Sequence, residues 1–284
     1  MFSIVIPSWN NLPYLRLCVE SLRRNSRHAH QILVHVNDGS DGTREWIARE
    51  GIEHTASSEN LGICYAVNLA ASRARTGYVM YLNDDMVAAP GWDAALENAL
   101  ARVGGRQMFM LSGTMIEPFE SGNRCVVVAD YGREPSAFDF ERYCATAQAR
   151  ARSDWLGATW PPTLVSRDLW HRVGGYSTEF SPGMGSDNDF SMKLWQAGCR
   201  VFLGVGGSLF YHFARASTSR IRKNDGRRQF LLKWGMTQSA FDRYLLRRGA
   251  AVPKGEEGGL LREPRASWSW RLQELKASLR RRFG

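Results

Sequence analysis

No stretch of this 284-residue chain reaches the ~18 uncharged apolar residues that a membrane-spanning helix needs. Met1–Pro7 carries no basic leader ahead of its apolar run, so neither a secretory signal nor a span is expected. Cysteine is scarce: Cys18, Cys64, Cys125, Cys144 and Cys199 are odd in number and never fall in a Cys-x-x-Cys pair. That spacing excludes a disulfide framework and a thiolate zinc site, and points to a reducing cytosol. The body of the chain also lacks a Gly-rich phosphate loop closed by Lys, an internal repeat and any low-complexity tract. What remains is ordinary globular composition, 44% apolar and 23% charged, which excludes disordered and fibrous classes.

Charge is present but unevenly placed. Residues 215–284 hold 18 Lys and Arg against 6 Asp and Glu, while the preceding 214 residues are slightly acidic. A near-neutral catalytic body with a phosphate-seeking tail is the expected arrangement.

Along the body, apolar runs alternate with helical periodicity. Phe2–Ile6 reads as a strand ending at Pro7, and Pro13 opens a helix carrying Leu12, Leu15, Val19 and Leu22. Ile32–Val36 is a second strand, closed by the turn Asn37–Gly42; helices follow near 44–50 and 62–74, then the strand Tyr78–Leu82. This alternation predicts a mostly parallel α/β sheet, in which ligands gather outside the carboxyl ends of the strands. Polar clusters fall at those ends: Pro7-Ser8-Trp9-Asn10, Asn37-Asp38 and Asn83-Asp84-Asp85. Further on, a helix is expected near 92–103, a strand near 108–115, helices at 167–173 and 187–197, and two short strands at 201–203 and 208–211. Residues 154–162 read as a loop, and 117–152 gives no clear pattern.

Adjacent carboxylates such as Asp84 and Asp85 repel unless a cation or donor array offsets them, and hard oxygen ligands of this kind suit Mg2+ or Mn2+. Asp38 has two readings, an acceptor for a base or ribose donor, or the cap of its own turn. Ser186-Asp187-Asn188-Asp189 reads either as a helix cap with acid in the first turn, or as a site where one carboxylate takes a proton from an attacking hydroxyl. His212, at the end of its strand, is either a packed histidine or a metal ligand. Trp155 and Trp160 lie in a Gly- and Pro-rich loop, where an aromatic either packs inside, the default, or stacks on a sugar.

Taken in order, these segments resemble the inverting family 2 glycosyltransferases, which have the GT-A fold. The resemblance is carried by Ser3-Ile4-Val5-Ile6-Pro7-Ser8-Trp9-Asn10, Asn37–Thr43, Asn60-Leu61-Gly62, Tyr81–Asp85, Val173–Tyr176, Gly185–Phe190 and Tyr211-His212, spanning about residues 2–218. It implies that Pro7 and Ser8 line a nucleotide pocket, that Asp38 binds the base, and that Asn83 and Asp85 take the outer positions of the D-x-D motif, with Asp85 on the metal. Asn in the first of these positions is familiar from the rhamnosyltransferase-like branch. Ser186-Asp187 matches the base motif with its Glu replaced, which makes Asp187 the expected base and Asp189 a supporting residue. His212 matches a further metal ligand. Asn10, Asn60, Asp84 and Trp155 complete the expected substrate-binding set.

The implied activity is metal-assisted, inverting transfer from a nucleotide-sugar to a glycan or lipid-linked acceptor, with Mn2+ or Mg2+ as cofactor and no nucleic acid partner, in bacterial surface polysaccharide assembly. The alternatives are a catalytically inactive nucleotide-sugar-binding module and a nucleic-acid-binding protein acting through its basic tail. The expected division is a catalytic domain at 1–218, with a nucleotide half to about 103 and an acceptor half from about 104, followed by a basic helical extension at 219–284. Within that extension Trp268, Leu272, Leu275, Leu279 and Phe283 recur at helical spacing among Arg271, Lys276 and Arg280–Arg282. Such a helix suits the headgroup region of an anionic bilayer, or docks on the body with its arginines solvated. A cytoplasmic protein, peripheral at the inner membrane face, is the matching location.

Overall fold

The computed structural model describes residues 1–103, 105, 108–214, 222–255, 258–263, 273, 276–279 and 281. Its first half is β1 (Ser3–Trp9), α1 (Leu12–Asn25), β2 (Gln31–Asn37), α2 (Thr43–Arg49), β3 (Glu53–Ser57), α3 (Ile63–Ala71), β4 (Tyr78–Tyr81), β5 (Met86–Ala88) and α4 (Trp92–Arg102). The second comprises β6 (Phe109–Glu117), β7 (Val126–Val128), α5 (Phe140–Thr146), β8 (Trp155–Leu156), β9 (Thr163–Ser166), α6 (Arg167–Val173), α7 (Ser186–Gln196), β10 (Val201–His212) and α8 (Gly226–Trp234). A short turn of helix, Gln238–Ala240, leads into a wide π-type turn, Phe241–Leu245.

All ten strands join one sheet, in the order β3-β2-β1-β4-β9-β6-β10-β5, with β7 beside β6 and β8 beside β10. The pairs β3/β2, β2/β1 and β1/β4 are parallel. β9 then runs antiparallel to both β4 and β6, so β6 points the same way as β4, and β10 is parallel to β6. The carboxyl ends of β1, β2, β4, β6 and β10 consequently lie along one edge of the sheet. That edge carries every strand-end cluster read from the sequence.

One layer of packing holds Ile4, Ile6, Val34, Leu164 and Leu203 with Leu15, Val19 and Trp92; the other holds Val5, Leu33, Val79 and Tyr81 with Val67, Phe190 and Trp195. The central strands β1, β4, β6, β9 and β10 bury both faces, as the interior of such a sheet requires.

The structure departs from the sequence-based expectation in several places. β1 runs through Pro7, which pairs in register with His35. The two strands expected at 201–203 and 208–211 are one strand, β10, whose register shifts against β6 between Val205 and Leu209. The loop expected at 154–162 contains β8, and Trp155 is buried, its ring against Gly204 and its Nε1 donating to Thr114 Oγ1 at 3.0 Å. A ring so enclosed cannot stack on a sugar. Beyond residue 218, Phe230, Phe241, Leu245, Leu246 and Leu261 are core members packed with Phe190, Trp195 and Phe202. Most of the tail helix expected around 268–283 lies outside the described residues; within it Ala277 is buried and Leu279 exposed.

Candidate active site

At the end of β1 the chain turns through Asn10, whose φ of 46° lies in the left-handed region, and across from it Asp38 ends β2 with φ 62°. Non-glycine residues held there cost backbone energy and mark sites where side chains are aimed. Asn10 Nδ2 donates to Asp38 Oδ2 at 2.8 Å and to Ser40 Oγ at 3.0 Å. The turn itself is capped by Asp41, which accepts from the Leu12 and Thr43 amides at 2.8 and 3.2 Å. Asp41 thus carries the amide caps of the turn, and the Asp38 carboxylate accepts from side chains alone there, Asn10 Nδ2 and the Ser40 hydroxyl at 3.2 Å. Beneath it Ser8 is almost fully buried with its Oγ unpartnered, and Pro7 is half-buried beside it. His35, buried on β2 between Thr55 Oγ1 at 2.8 Å and Ser57 Oγ at 3.3 Å, has its pKa lowered to about 4 by burial and stays neutral. Asn60 uses its Oδ1 for the Gly62 amide at 2.9 Å, shaping the turn before α3.

The residue after Asn10 ties the second acidic cluster to the first. Asn11 Nδ2 donates to Asp84 Oδ1 at 3.0 Å. Asn10 and Asn11, adjacent in the chain, thus hold Asp38 and Asp84. Asn83 and Asp84 are half-buried, and Asp85 is buried behind them. Sequence reasoning passed over Asn11, because an asparagine at a helix start reads as an ordinary cap.

Asp187 comes from the far side. The capping expected of Ser186 or Asp187 is absent: Gly185, at φ 83°, takes the N-cap position, and Ser186 Oγ donates to Gly183 O at 2.7 Å. The Asp187 carboxylate instead accepts from the Tyr176 hydroxyl at 2.9 Å. Burial pushes its pKa up to about 7, with the Tyr176 hydrogen bond pulling the other way. Tyr176 is itself fixed on all sides. Its ring stacks on Phe190 at 4.7 Å and meets Tyr81 edge-on at 5.5 Å, and Asn68 brackets its backbone N–H and C=O at 2.8 Å each. A Cβ on Gly175 would collide with Asn68 Oδ1, and this explains the glycine before Tyr176. The Tyr81 phenol, raised first by burial, is raised further by the fields of Asp187, Asp84 and Asp85. Acids from two segments, Asp84–Asp85 and the distant Asp187, therefore act on one tyrosine.

Asp189 is placed differently from what its sequence position suggests. It is fully buried, and its Oδ1 accepts from Trp234 Nε1 at 2.8 Å and Lys233 Nζ at 2.9 Å, while Oδ2 has no partner. Burial opposes the Lys233 charge, but Glu179 and Asp189 together hold its pKa above the usual range. Asp189 thus fastens α8 to the helix that carries Asp187; it does not line the open crevice.

At the other end of the edge, β5, β10 and β6 stand side by side. His212 Nδ1 lies 2.9 Å from Glu117 Oε1, and Nε2 lies 3.6 Å from Asp85 Oδ1. Burial disfavours the imidazolium, yet Asp85 and Glu117 outweigh it and raise the pKa. Glu117 also escaped sequence reasoning, because it ends an otherwise apolar run. One carboxylate oxygen and one imidazole nitrogen 3.6 Å apart fit two donors around a divalent cation bound at ~2.1 Å from each. Among the described residues no group of three or more His, Cys, Asp or Glu forms a closed cage. The other coordination positions would fall to phosphate oxygens and water, as suits Mg2+ or Mn2+.

The architecture is the GT-A fold. A crystal structure of S. aureus TarS in complex with UDP-GlcNAc superposes with a TM-score of 0.54 at 14% identity, covering 81% of this chain and 64% of that one. A mannosyltransferase from Pyrobaculum calidifontis, in complex with GDP-Man and Mn2+, gives 0.52 at 14% identity over 85% and 61%. Residues 3–105 match the model of a family described as glycosyl transferase family 2. The chain is 23% identical over 241 residues to an Escherichia coli chondroitin synthase; the match covers 74% of this chain and 34% of that protein.

Proposed function

We propose that this protein is an inverting glycosyltransferase that moves a hexosyl or deoxyhexosyl group from a nucleoside-diphosphate sugar to a hydroxyl of a glycan or lipid-linked acceptor. The observation that carries this reading is the convergence of Asp38, Asp84, Asp85 and Asp187, linked through Asn10, Asn11 and the Tyr81–Tyr176 pair, on one edge of the sheet. Asp38, aimed by Asn10, accepts from the nucleobase or ribose, and Pro7 and Ser8 form the floor beneath it. Asn83 faces the ribose–phosphate corner. Asp85 and His212 would hold Mn2+ or Mg2+, which when bound offsets charge on the departing diphosphate. Asp187 accepts the proton of the acceptor hydroxyl, whose oxygen attacks the anomeric carbon opposite the diphosphate. The new C–O bond forms as the C–O bond to phosphate breaks, and a single displacement inverts the centre.

Asp187 suits the role of general base: a pKa near 7 makes its carboxylate both available and basic at neutral pH. The nucleotide-sugar and Mn2+ complexes of the two structural neighbours, and the polysaccharide activity in the chondroitin synthase name, support a donor and a product of the same chemical kinds. The setting proposed is bacterial surface polysaccharide assembly at the cytoplasmic face of the membrane, with the strongly basic 215–284 segment drawn to anionic headgroups.

The test is a panel of nucleoside-diphosphate sugars with Mn2+. The fitting donor should raise the melting temperature in proportion to its affinity and be hydrolysed slowly without acceptor. D187N should bind that donor normally and lose ~10²–10⁴-fold in transfer. Full activity in D187N would overturn the assignment of the base.

A further inference from the structure

We propose that Glu117 is a positioning residue that presents His212 Nε2 to the divalent cation, an inference that rests on the metal-assisted reading above. Strand register makes the arrangement. Parallel pairing sets Ile116 opposite Tyr211, and antiparallel pairing sets Met86 opposite His212. Glu117 follows Ile116 and so stands beside His212, while Asp85 lies just ahead of β5, where its carbonyl accepts from the Phe213 amide at 3.2 Å and its carboxylate comes to 3.6 Å from His212 Nε2. Their side chains are 8%, 18% and 9% exposed for Glu117, His212 and Asp85.

An ionised Glu117 can only accept, so at 2.9 Å the His212 Nδ1 must donate to it. In the neutral ring, the form a cation would bind, the Nε2 lone pair is then the one left for coordination, turned toward Asp85. The 3.6 Å between Nε2 and Asp85 Oδ1 is too long for a hydrogen bond and leaves room for an ion between two donors. Every residue of β6 is buried, and a carboxylate at the end of such a strand is costly without a polar partner. The contact therefore settles both ring orientation and tautomer, the role that carboxylates play behind metal-bound histidines.

Mn2+ titration of the full-length chain tests this, with free Mn2+ read by EPR and nitrogen coordination by electron spin-echo modulation. In the wild type the bound Mn2+ should show coupling to an imidazole nitrogen. E117D keeps the charge but falls one methylene short of Nδ1; it should bind Mn2+ ~10–100-fold more weakly and lose most of the nitrogen coupling. E117Q, which is isosteric and still accepts through its amide oxygen, should stay near wild type in both readouts and in melting temperature. Wild-type affinity and coupling in E117D would overturn the positioning role while leaving the metal site standing. Absence of nitrogen coupling in the wild-type protein would overturn the metal-ligand reading of His212, and this proposal with it.

Discussion

At the scale of single residues, Asp187 and Tyr176 set the pH behaviour. The Asp187 carboxyl sits well above the ordinary carboxylate range because burial disfavours its charge, so transfer should rise with pH through a midpoint near 7. Removing the Tyr176 hydroxyl withdraws the hydrogen bond that stabilises the ionised form. In Y176F the midpoint of kcat/KM should therefore move upward, and a downward or null shift would contradict the pairing. The same sign governs stability. A group whose folded pKa is raised gives the fold its full support below the unfolded value, and that support is lost as pH rises from there through the folded value of about 7. D187N should accordingly gain on wild type in melting temperature from about pH 4 upward, with the largest gain at pH 8. The Asp187 position was legible from its Gly-Ser-Asp-Asn-Asp context, but its environment was not. That environment comes from Asn68, Tyr81, Phe190 and Tyr176, which only tertiary packing assembles. Asn11 and Glu117 were invisible for a similar reason, since each looks ordinary until its partner strand or loop is in place.

Among elements, the helix α8 matters most to the base. Gly226 opens it, and a Cβ there would collide with the Met184 carbonyl, while the Met184 amide and carbonyl are bonded by Asn224 at 3.0 Å each. At its other end Trp234 and Lys233 grip Asp189. G226A should thus push α8 away from the Met184–Gly185 turn, lowering both melting temperature and kcat, whereas the donor affinity, which the proposed function assigns to β1 and β2, should change little. Donor titration by calorimetry beside a kinetic assay would separate the two effects. Elements with strong periodicity were readable: α1 with its early Pro13, α4 and α6 fall where the pattern puts them. The strands β3, β5, β7, β8 and β9 were not. β3 is a partly exposed edge, and the others have two to four residues each, too short to show a period. They exist because a neighbouring strand offers hydrogen bonds, which is information outside their own sequence.

Considered as a whole molecule, the chain joins a body of near-neutral charge to a strongly basic end, and apolar residues of that end enter the body's core. Phe230, Phe241, Leu245, Leu246 and Leu261 leave water only by packing on the body, at about 1.5–3 kcal/mol for each large side chain. A chain ended at 218 should therefore be insoluble or molten, detectable by loss of its cooperative melting transition. A chain ended at 264 should melt cooperatively. Flotation with anionic liposomes would show whether residues 265–284 add membrane affinity, and equal flotation of both lengths would dismiss that role. The α/β class and the strand-end placement of the acids were legible because both follow from local alternation. Joining of the tail to the core was masked by its charge, which drew attention away from five well-spaced apolar residues.

Asn10 and Asn11 carry one last implication. They are consecutive, so their α-carbons are ~3.8 Å apart whatever the surrounding loops do. One grips Asp38 and the other Asp84. A single peptide unit therefore acts as a ruler between the two acids, which the proposed function assigns to the nucleoside and the diphosphate. Altered sugar preference in engineered descendants should arise from the rim around Tyr176 and α8, because lengthening or shortening that ruler would misalign the donor before any sugar is read.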